Sequence, residues 1–516
     1  MQLSLSNLKN IHKEGLEMPS PGYFDLPEKV VQFGTGVLLR GLPDYFIDNA
    51  NKQGIFNGRI LVIKSTTQGN ADEFKRQDNL YTQCIRSVQN GKLVERDIIN
   101  ASISRVLSAR SEWNQILDAA ANTGLQLIIS NTTEVGIVAV DDDIHATPPA
   151  SFPGKLLAFL YRRYHHFKGD KKAGLVIIPT ELIPGNASTL KKILLDLTNK
   201  LGLEKSFLLW LDHSNSFCNS LVDRIVPGKL PEQVSKKLKE KSGYTDELAF
   251  MSESYGLWAI ETTDEKVKDV LSFHQCDPGV VIAPDISVYR ELKLRLLNGS
   301  HTFCCGLGFL GGYNTVREAM SDPVFESFIT NLMLEEIAPS IVSPGIHLEK
   351  AREYAHRVLD RFRNPYINHQ WLSITLQYSA KMAMRNKPLI KSWFAQHGSV
   401  PPLMSLGLAA WILFMKTELI ADGHYVGKAN GEEYEVKDDL AAQLYAAWKA
   451  GKDEVLVREI LSNQEIWQED LSLLPGLTIA VTQSLNLLIN AGVVAAMMET
   501  LQGAGYEIET IFNEKI

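Results

Sequence analysis

Cysteine is scarce: Cys84, Cys218, Cys276, Cys304 and Cys305 are the five in a chain of 516 residues. The number is odd and no two form a C-x-x-C pair, which argues against a disulfide framework or a structural zinc site. They read as reduced thiols in a cytoplasmic protein. A basic excess is also lacking. The net charge is −8, so nothing points to nucleic acid or an anionic membrane as partner. Long apolar runs are missing as well. The most apolar stretch, 406–415, falls far short of the roughly 20 residues of a membrane span and reads as a buried helix. Residues 1–15 are polar and lack the apolar core of a secretion signal. No repeat or low-complexity tract breaks the chain.

What is present is ordinary globular material, with 45% hydrophobic and 22% charged residues. The length exceeds one core, so two domains are expected. Strand-like apolar runs at 30–33, 60–63, 125–129, 175–178 and 280–283 alternate with helical patterns at 43–51, 112–121, 155–165 and 190–201. That alternation predicts a parallel sheet with helices on both faces. Beyond 284–287 the pattern becomes helical, as at 288–297, 324–337, 440–450 and 482–501. The expected organisation is an N-terminal extension over 1–27, an α/β Rossmann-type doubly wound domain over 28–285, and a mainly α-helical domain over 286–516. A monomer and a small homo-oligomer both fit.

The first strand runs into Gly34-Thr35-Gly36-Val37-Leu38, followed by a helical pattern. Glycines here permit a tight turn and let a pyrophosphate approach the amides of Gly34, Gly36, Val37 and Leu38 at the helix start. Leu39 stands where the full G-x-G-x-x-G fingerprint has its third glycine. After the second strand come Lys64 and, further on, Asp72 and Glu73, so the residues leave NAD and NADP open. Asn131 and Thr132 follow the third strand, where the carboxyl ends of a parallel sheet form a ligand site.

The sharpest pattern is Lys293-x-x-x-x-Asn298-x-x-His301. On one α-helix these side chains fall at about 0°, 140° and 80°. An amine, an amide and an imidazole suit alcohol oxidation. An amine stripped of water or set among cations can accept the alcohol proton, and the amide and imidazole can steady the developing alkoxide. Gly299 costs about 1 kcal/mol in mid-helix, which suggests that something packs closely there. No set of His, Cys and carboxylates has metal-ligand spacing, so no metal is expected.

The Lys-Asn-His pattern resembles that of the polyol-specific long-chain dehydrogenases, the mannitol dehydrogenase family. Similar landmarks follow in order at 32–40, 77–81, 131–136, 221–227 and 361–367. The resemblance implies a Rossmann-type domain plus a helical domain, NAD as cofactor, a small sugar-type substrate and no catalytic metal. It implies Lys293 as general acid/base, with Asn298 and His301 on the substrate oxygen. It places Asp223 near the cofactor and Glu134 near the proton path. Mannitol-type members carry Cys-Asp-Asn after the fourth strand, and their Asn supplies a second oxyanion donor. This chain has Thr180-Glu181-Leu182 there, so either Asn186 takes over or one donor is missing. That departure favours a substrate other than mannitol. A sugar acid needs a cation for its carboxylate, and Arg361 and Arg363 are candidates, with His369 nearby.

Overall fold

The computed structural model describes residues 1–11, 14–65, 71–132 and 136–508. They group into two compact units, Met1–Ser87 with Leu93–Ile286, and Val88–Lys92 with Ser287–Ile516.

The first unit is built on six parallel strands: β1 (Glu28–Phe33), β2 (Arg59–Lys64), β3 (Ile103–Ser108), β4 (Leu127–Ser130), β5 (Val176–Pro179) and β6 (Ser216–Phe217). Their order across the sheet is β3-β2-β1-β4-β5-β6. This is the doubly wound order, in which the direction of strand addition reverses between the parallel neighbours β1 and β4. Strand parity explains the apolar runs. Val30, Ile60, Val62, Leu127, Ile129 and Ile178 face one core with Leu42, Phe46 and Ile47. Val31, Phe33, Leu61, Ile63, Ile128 and Ile177 face the other with Leu156, Leu160, Leu190 and Leu194. Both faces are thus apolar, and burying each of these side chains contributes about 1.5–3 kcal/mol.

The run at 280–283 is a strand, but it belongs to a separate three-stranded sheet with Ser220–Asp223 and Leu257–Glu261. The long strands Tyr81–Gln89 and Lys92–Asn100 form part of a further five-stranded sheet. Residues 1–11 and 14–27 are folded into this unit. Leu16 and Glu17 pair with Asp97 and Ile98, and the Tyr23 hydroxyl donates to Asp48 at 2.7 Å.

The second unit is mainly helical. The apolar stretch at 406–415 forms most of a helix, Pro402–Phe414, and its C-cap Met415; the helix is almost wholly buried against the helices Ser300–Leu310 and Leu477–Ala491. Glu336 caps its N-terminus, accepting from the amides of Leu403 (2.7 Å) and Met404 (2.8 Å). The helix expected over 482–501 is two, Leu477–Ala491 and Val493–Gly503, parted at Gly492. A small antiparallel sheet, Glu418–Leu419, Tyr425–Ala429 and Glu432–Glu435, interrupts the helical run. Among the described residues three helices contain π-helical segments: Lys293–Gly299, Leu332–Ile337 and Met382–Asn386. Among the described residues no helix is long and apolar enough to cross a membrane, and all five cysteines are free.

Candidate active site

In the first unit β1 ends at the glycine turn. Gly34 has φ +127°, and a Cβ there would meet the Asn131 carbonyl oxygen and Leu39 Cδ1, both at 3.0 Å. Its glycine is demanded by the protein's own backbone and packing. Gly36 differs. It sits at φ −62° as N-cap of the short helix Val37–Gly41, and a Cβ would find nothing within 4 Å. The protein itself gives no reason for glycine at 36, whereas a phosphate brought onto the amides would. Leu39, in place of the third fingerprint glycine, is buried in the core. Close packing falls instead on Gly41, whose Cβ would lie 3.0 Å from Phe250 and 3.1 Å from Val226.

Across the switch point, the Asn131 amide donates to Thr180 Oγ1 at 2.9 Å. The Thr132 amide and hydroxyl both donate to Glu181 at 2.9 Å. The polar residues after β4 are therefore tied to those after β5. Burial raises the Glu181 carboxyl above its ordinary range. Asp223 ends the strand Ser220–Asp223 and is buried. Beneath the turn, Asp44 is wholly buried. Its Oδ2 is met only at 3.4 Å by Gln32 and 3.5 Å by Tyr81, and Oδ1 has no partner. Burial pushes this carboxyl up to about 8.

Asn186 does not stand free as an oxyanion donor. It is fully buried, and its Nδ2 donates to the carbonyls of Pro179, Glu181 and Ser220 while Oδ1 accepts from Ala187 and Ser220. Those bonds use its donor capacity. Leu182 is 53% exposed and offers no donor. Glu134 lies outside the described residues.

In the second unit Lys293, Asn298 and His301 lie on one continuous helix, Ser287–Leu310, whose middle is the π segment Lys293–Gly299. The π turn alters the expected geometry. Its i→i+5 hydrogen bonds bring residues five apart near one another, so Lys293 and Asn298 are not splayed by the α-helical 140°. Asn298 and His301, three apart, share a face. Lys293 and Asn298 are half-buried and His301 is buried.

His301 is stacked on Phe362 with centroids 4.2 Å apart, and the rings of His369 (5.0 Å) and Trp371 (6.1 Å) meet it edge-on. Its Nε2 is buried without a partner. Burial, and then the charges of His369, Arg361 and Arg385, hold the imidazole well below its ordinary value. It is neutral at physiological pH, with one ring nitrogen able to donate and the other to accept. Gly299 is explained: a Cβ would stand 3.2 Å from Asn386 Oδ1 and 3.4 Å from Leu389. It lets the π segments Lys293–Gly299 and Met382–Asn386 approach.

Arg361 and His369 are thus brought to His301. Arg363 is engaged elsewhere, with Glu326 at 2.5 Å and Asp360 at 3.6 Å. The residues that sequence reasoning missed are Thr302, Phe362, Trp371, Lys381 and Arg385. Only the four-residue spacing of Lys381 and Arg385 hints at a shared face. Among the described residues no cluster of His, Cys, Asp and Glu is arranged to hold a metal.

A doubly wound nucleotide-binding unit, joined in sequence to a helical unit bearing an amine, an amide and a neutral imidazole, defines a two-domain oxidoreductase. The chain belongs to the mannitol dehydrogenase family. The mannitol dehydrogenase Rossmann domain matches residues 28–271 and the mannitol dehydrogenase C-terminal domain matches 285–489. Altronate oxidoreductase of Halalkalibacterium halodurans is 35% identical over 93% of this chain and 94% of its own. That of Bacillus subtilis is 36% identical over 92% and 95%. In fold the chain is similar to Pseudomonas fluorescens mannitol 2-dehydrogenase, solved as a ternary complex with NAD and D-mannitol (TM-score 0.66, 23% identity, 97% of this chain and 100% of that one). It is likewise similar to D-sorbitol dehydrogenase in substrate-free form (TM-score 0.75, 19% identity, 96% and 100%).

Proposed function

We propose that this protein is an NAD-dependent, metal-independent oxidoreductase that interconverts D-tagaturonate and D-altronate, a step of galacturonate breakdown. The observation that carries the reading is the Lys293, Asn298 and His301 group on one π-containing helix, with an unpartnered, neutral imidazole set among cations. The altronate oxidoreductase relatives, matched over nearly their whole length, support the substrate class.

NAD, when bound, supplies the hydride acceptor for the alcohol or, reduced, the hydride donor for the ketone. The residues fit such a group: Gly36 leaves open the space that a phosphate would need, and the amides of Val37 and Leu38 open the following helix. Asn131 and Thr132, which follow the carboxyl end of β4, and Asp223, which ends a strand of the three-stranded sheet, complete this reading as further cofactor contacts.

In the oxidation direction the Lys293 amine takes the hydroxyl proton, and in reduction its ammonium returns it to the ketone oxygen. Asn298 donates from its side-chain amide to that oxygen as negative charge develops. The Thr302 hydroxyl donates to the Asn298 carbonyl at 2.7 Å, which ties the two residues within their helical turn. His301 donates from a ring N–H. Because burial keeps it neutral, it does not compete with Lys293 as a proton source at neutral pH.

Turnover of NADH and NADPH with D-tagaturonate, D-fructuronate and D-fructose tests the reading. Tagaturonate with NADH is expected to be preferred. Turnover of fructose without turnover of either uronate would overturn it. Lys293→Ala is expected to lose at least a thousandfold in kcat with NADH binding kept, and unchanged turnover would remove Lys293 from the mechanism.

A further inference from the structure

We propose that Arg385, supported by Lys381, is the carboxylate-binding group that selects a sugar acid over a neutral sugar, an inference that rests on the sugar-acid reading above. Arg385 lies in the π segment Met382–Asn386, facing the segment that carries Lys293 and Asn298. Its Nη1 donates to Thr302 Oγ1 at 3.2 Å, one residue from His301, while its buried Nε has no acceptor. Among the described residues no carboxylate lies within ion-pair distance of Arg385 or of Lys381, whose ammonium donates to the Ile374 carbonyl at 2.9 Å. The charges of His369, Arg361 and Arg385 act on His301, and Lys381, with Asp438 beyond ion-pair distance, acts on His369 and Arg385, so an unfilled guanidinium donor lies among cations.

Burying like charges together is unfavourable unless an anion joins them. A planar guanidinium with a vacant N–H edge meets a carboxylate through two parallel hydrogen bonds, which a hydroxymethyl group cannot reproduce. The position is also held firmly. Arg295 Nη1 donates to the carbonyls of Met384 (2.9 Å) and Arg385 (2.7 Å), and its Nε donates to Glu291 at 2.9 Å. Gly299 seats Asn386, the neighbour of Arg385, against the catalytic helix. Arg363, by contrast, already has Glu326 and Asp360 as counterions, which disfavours it for this role.

The test compares KM and kcat for D-tagaturonate and for D-tagatose, its neutral counterpart, in wild type, Arg385→Gln, Arg385→Lys and Arg385→Met. The glutamine variant is expected to raise KM for tagaturonate at least tenfold, from the loss of hydrogen bonds to a charged group. It is also expected to lower the acid-to-neutral ratio of kcat/KM by about tenfold or more. Arg385→Lys keeps the charge without the fork and should recover part of that loss. Arg385→Met keeps the apolar stem and takes the place of the glutamine variant should that one fail to fold. An unchanged acid-to-neutral ratio in the folded variants overturns the inference. A wild type that turns over neutral ketoses but no hexuronate overturns the sugar-acid reading instead.

Discussion

A methyl group added at Gly36 would meet no atom of the protein within 4 Å, on a backbone with φ −62° that alanine adopts freely. Two small effects on stability oppose each other. Alanine is a poorer N-cap than glycine, at a cost of about 0.5–1 kcal/mol, and a stiffer unfolded chain offsets about 0.4–1 kcal/mol of it. The melting temperature of Gly36→Ala should therefore stay close to that of wild type. Cofactor affinity should not. On the proposed reading, a methyl on the turn stands where a pyrophosphate would approach the amides, and losing hydrogen bonds to a charged group costs about 1.5–3 kcal/mol. That corresponds to an NADH affinity weaker by about 10–100-fold. Gly34→Ala is the control with the opposite signature. At φ +127°, with the Asn131 oxygen and Leu39 Cδ1 at 3.0 Å from the new Cβ, it should destabilise the first unit by at least about 1 kcal/mol. Fluorescence titration with NADH and thermal melts of the three proteins separate the cases. A Gly36→Ala protein that binds NADH as tightly as wild type would refute the reasoning.

Two further outcomes follow from packing and burial. In Gly308→Ala the new Cβ would fall 2.4 Å from Trp371 Nε1 and 2.5 Å from Cε2, in a ring with no exposed surface that packs against His301. Overpacking at about 1–3 kcal/mol should outweigh the roughly 1 kcal/mol gained in helix propensity, so both the melting temperature and kcat should fall; a variant as stable and active as wild type would show that Trp371 is free to move. For Asp44, burial raises the folded-state value to about 8 from an ordinary 3.8, so the folded chain keeps a proton that the unfolded chain releases. The stability owed to this group is full at acid pH and falls as pH rises through that window. Asp44→Asn is expected to stabilise at pH 8, on the order of 1–3 kcal/mol, and less at pH 5. Equal shifts at the two pH values in chemical denaturation would contradict it.

The parallel sheet was legible because both faces of its strands are buried, so β2, β4 and β5 each read as an apolar run and β1 as one broken only by Gln32. The helix Pro402–Phe414 was legible for the same reason. Lys92–Asn100 was not. Its first half is mostly exposed and its second half buried, which produces neither a run nor a clean alternation. The strands Tyr425–Ala429 and Glu432–Glu435 were hidden likewise, carrying Lys428, Glu432, Glu433 and Glu435 on a largely exposed sheet. The break at Gly492 lay inside an apolar pattern that continued on either side, and pattern alone joined the two helices.

The candidate site divides along the same line between what is local and what is not. Lys293, Asn298 and His301 lie within nine residues of chain, so their chemistry could be read from spacing. The α-helical wheel still set Lys293 and Asn298 too far apart, because a π segment leaves no mark in residue type. Gly299 was the one local clue, and its partner, Asn386, lies 87 positions later. Arg363 looked as suitable for a carboxylate as Arg361 because its counterion Glu326 is 37 positions away. Arg385 carried no signal beyond its four-residue spacing from Lys381, since what distinguishes it is a vacant donor beside Thr302, 83 positions back. A sequence announces which groups can do chemistry. Which of them already have partners is decided by contacts between distant residues, and those partners determine which cation is left for a substrate.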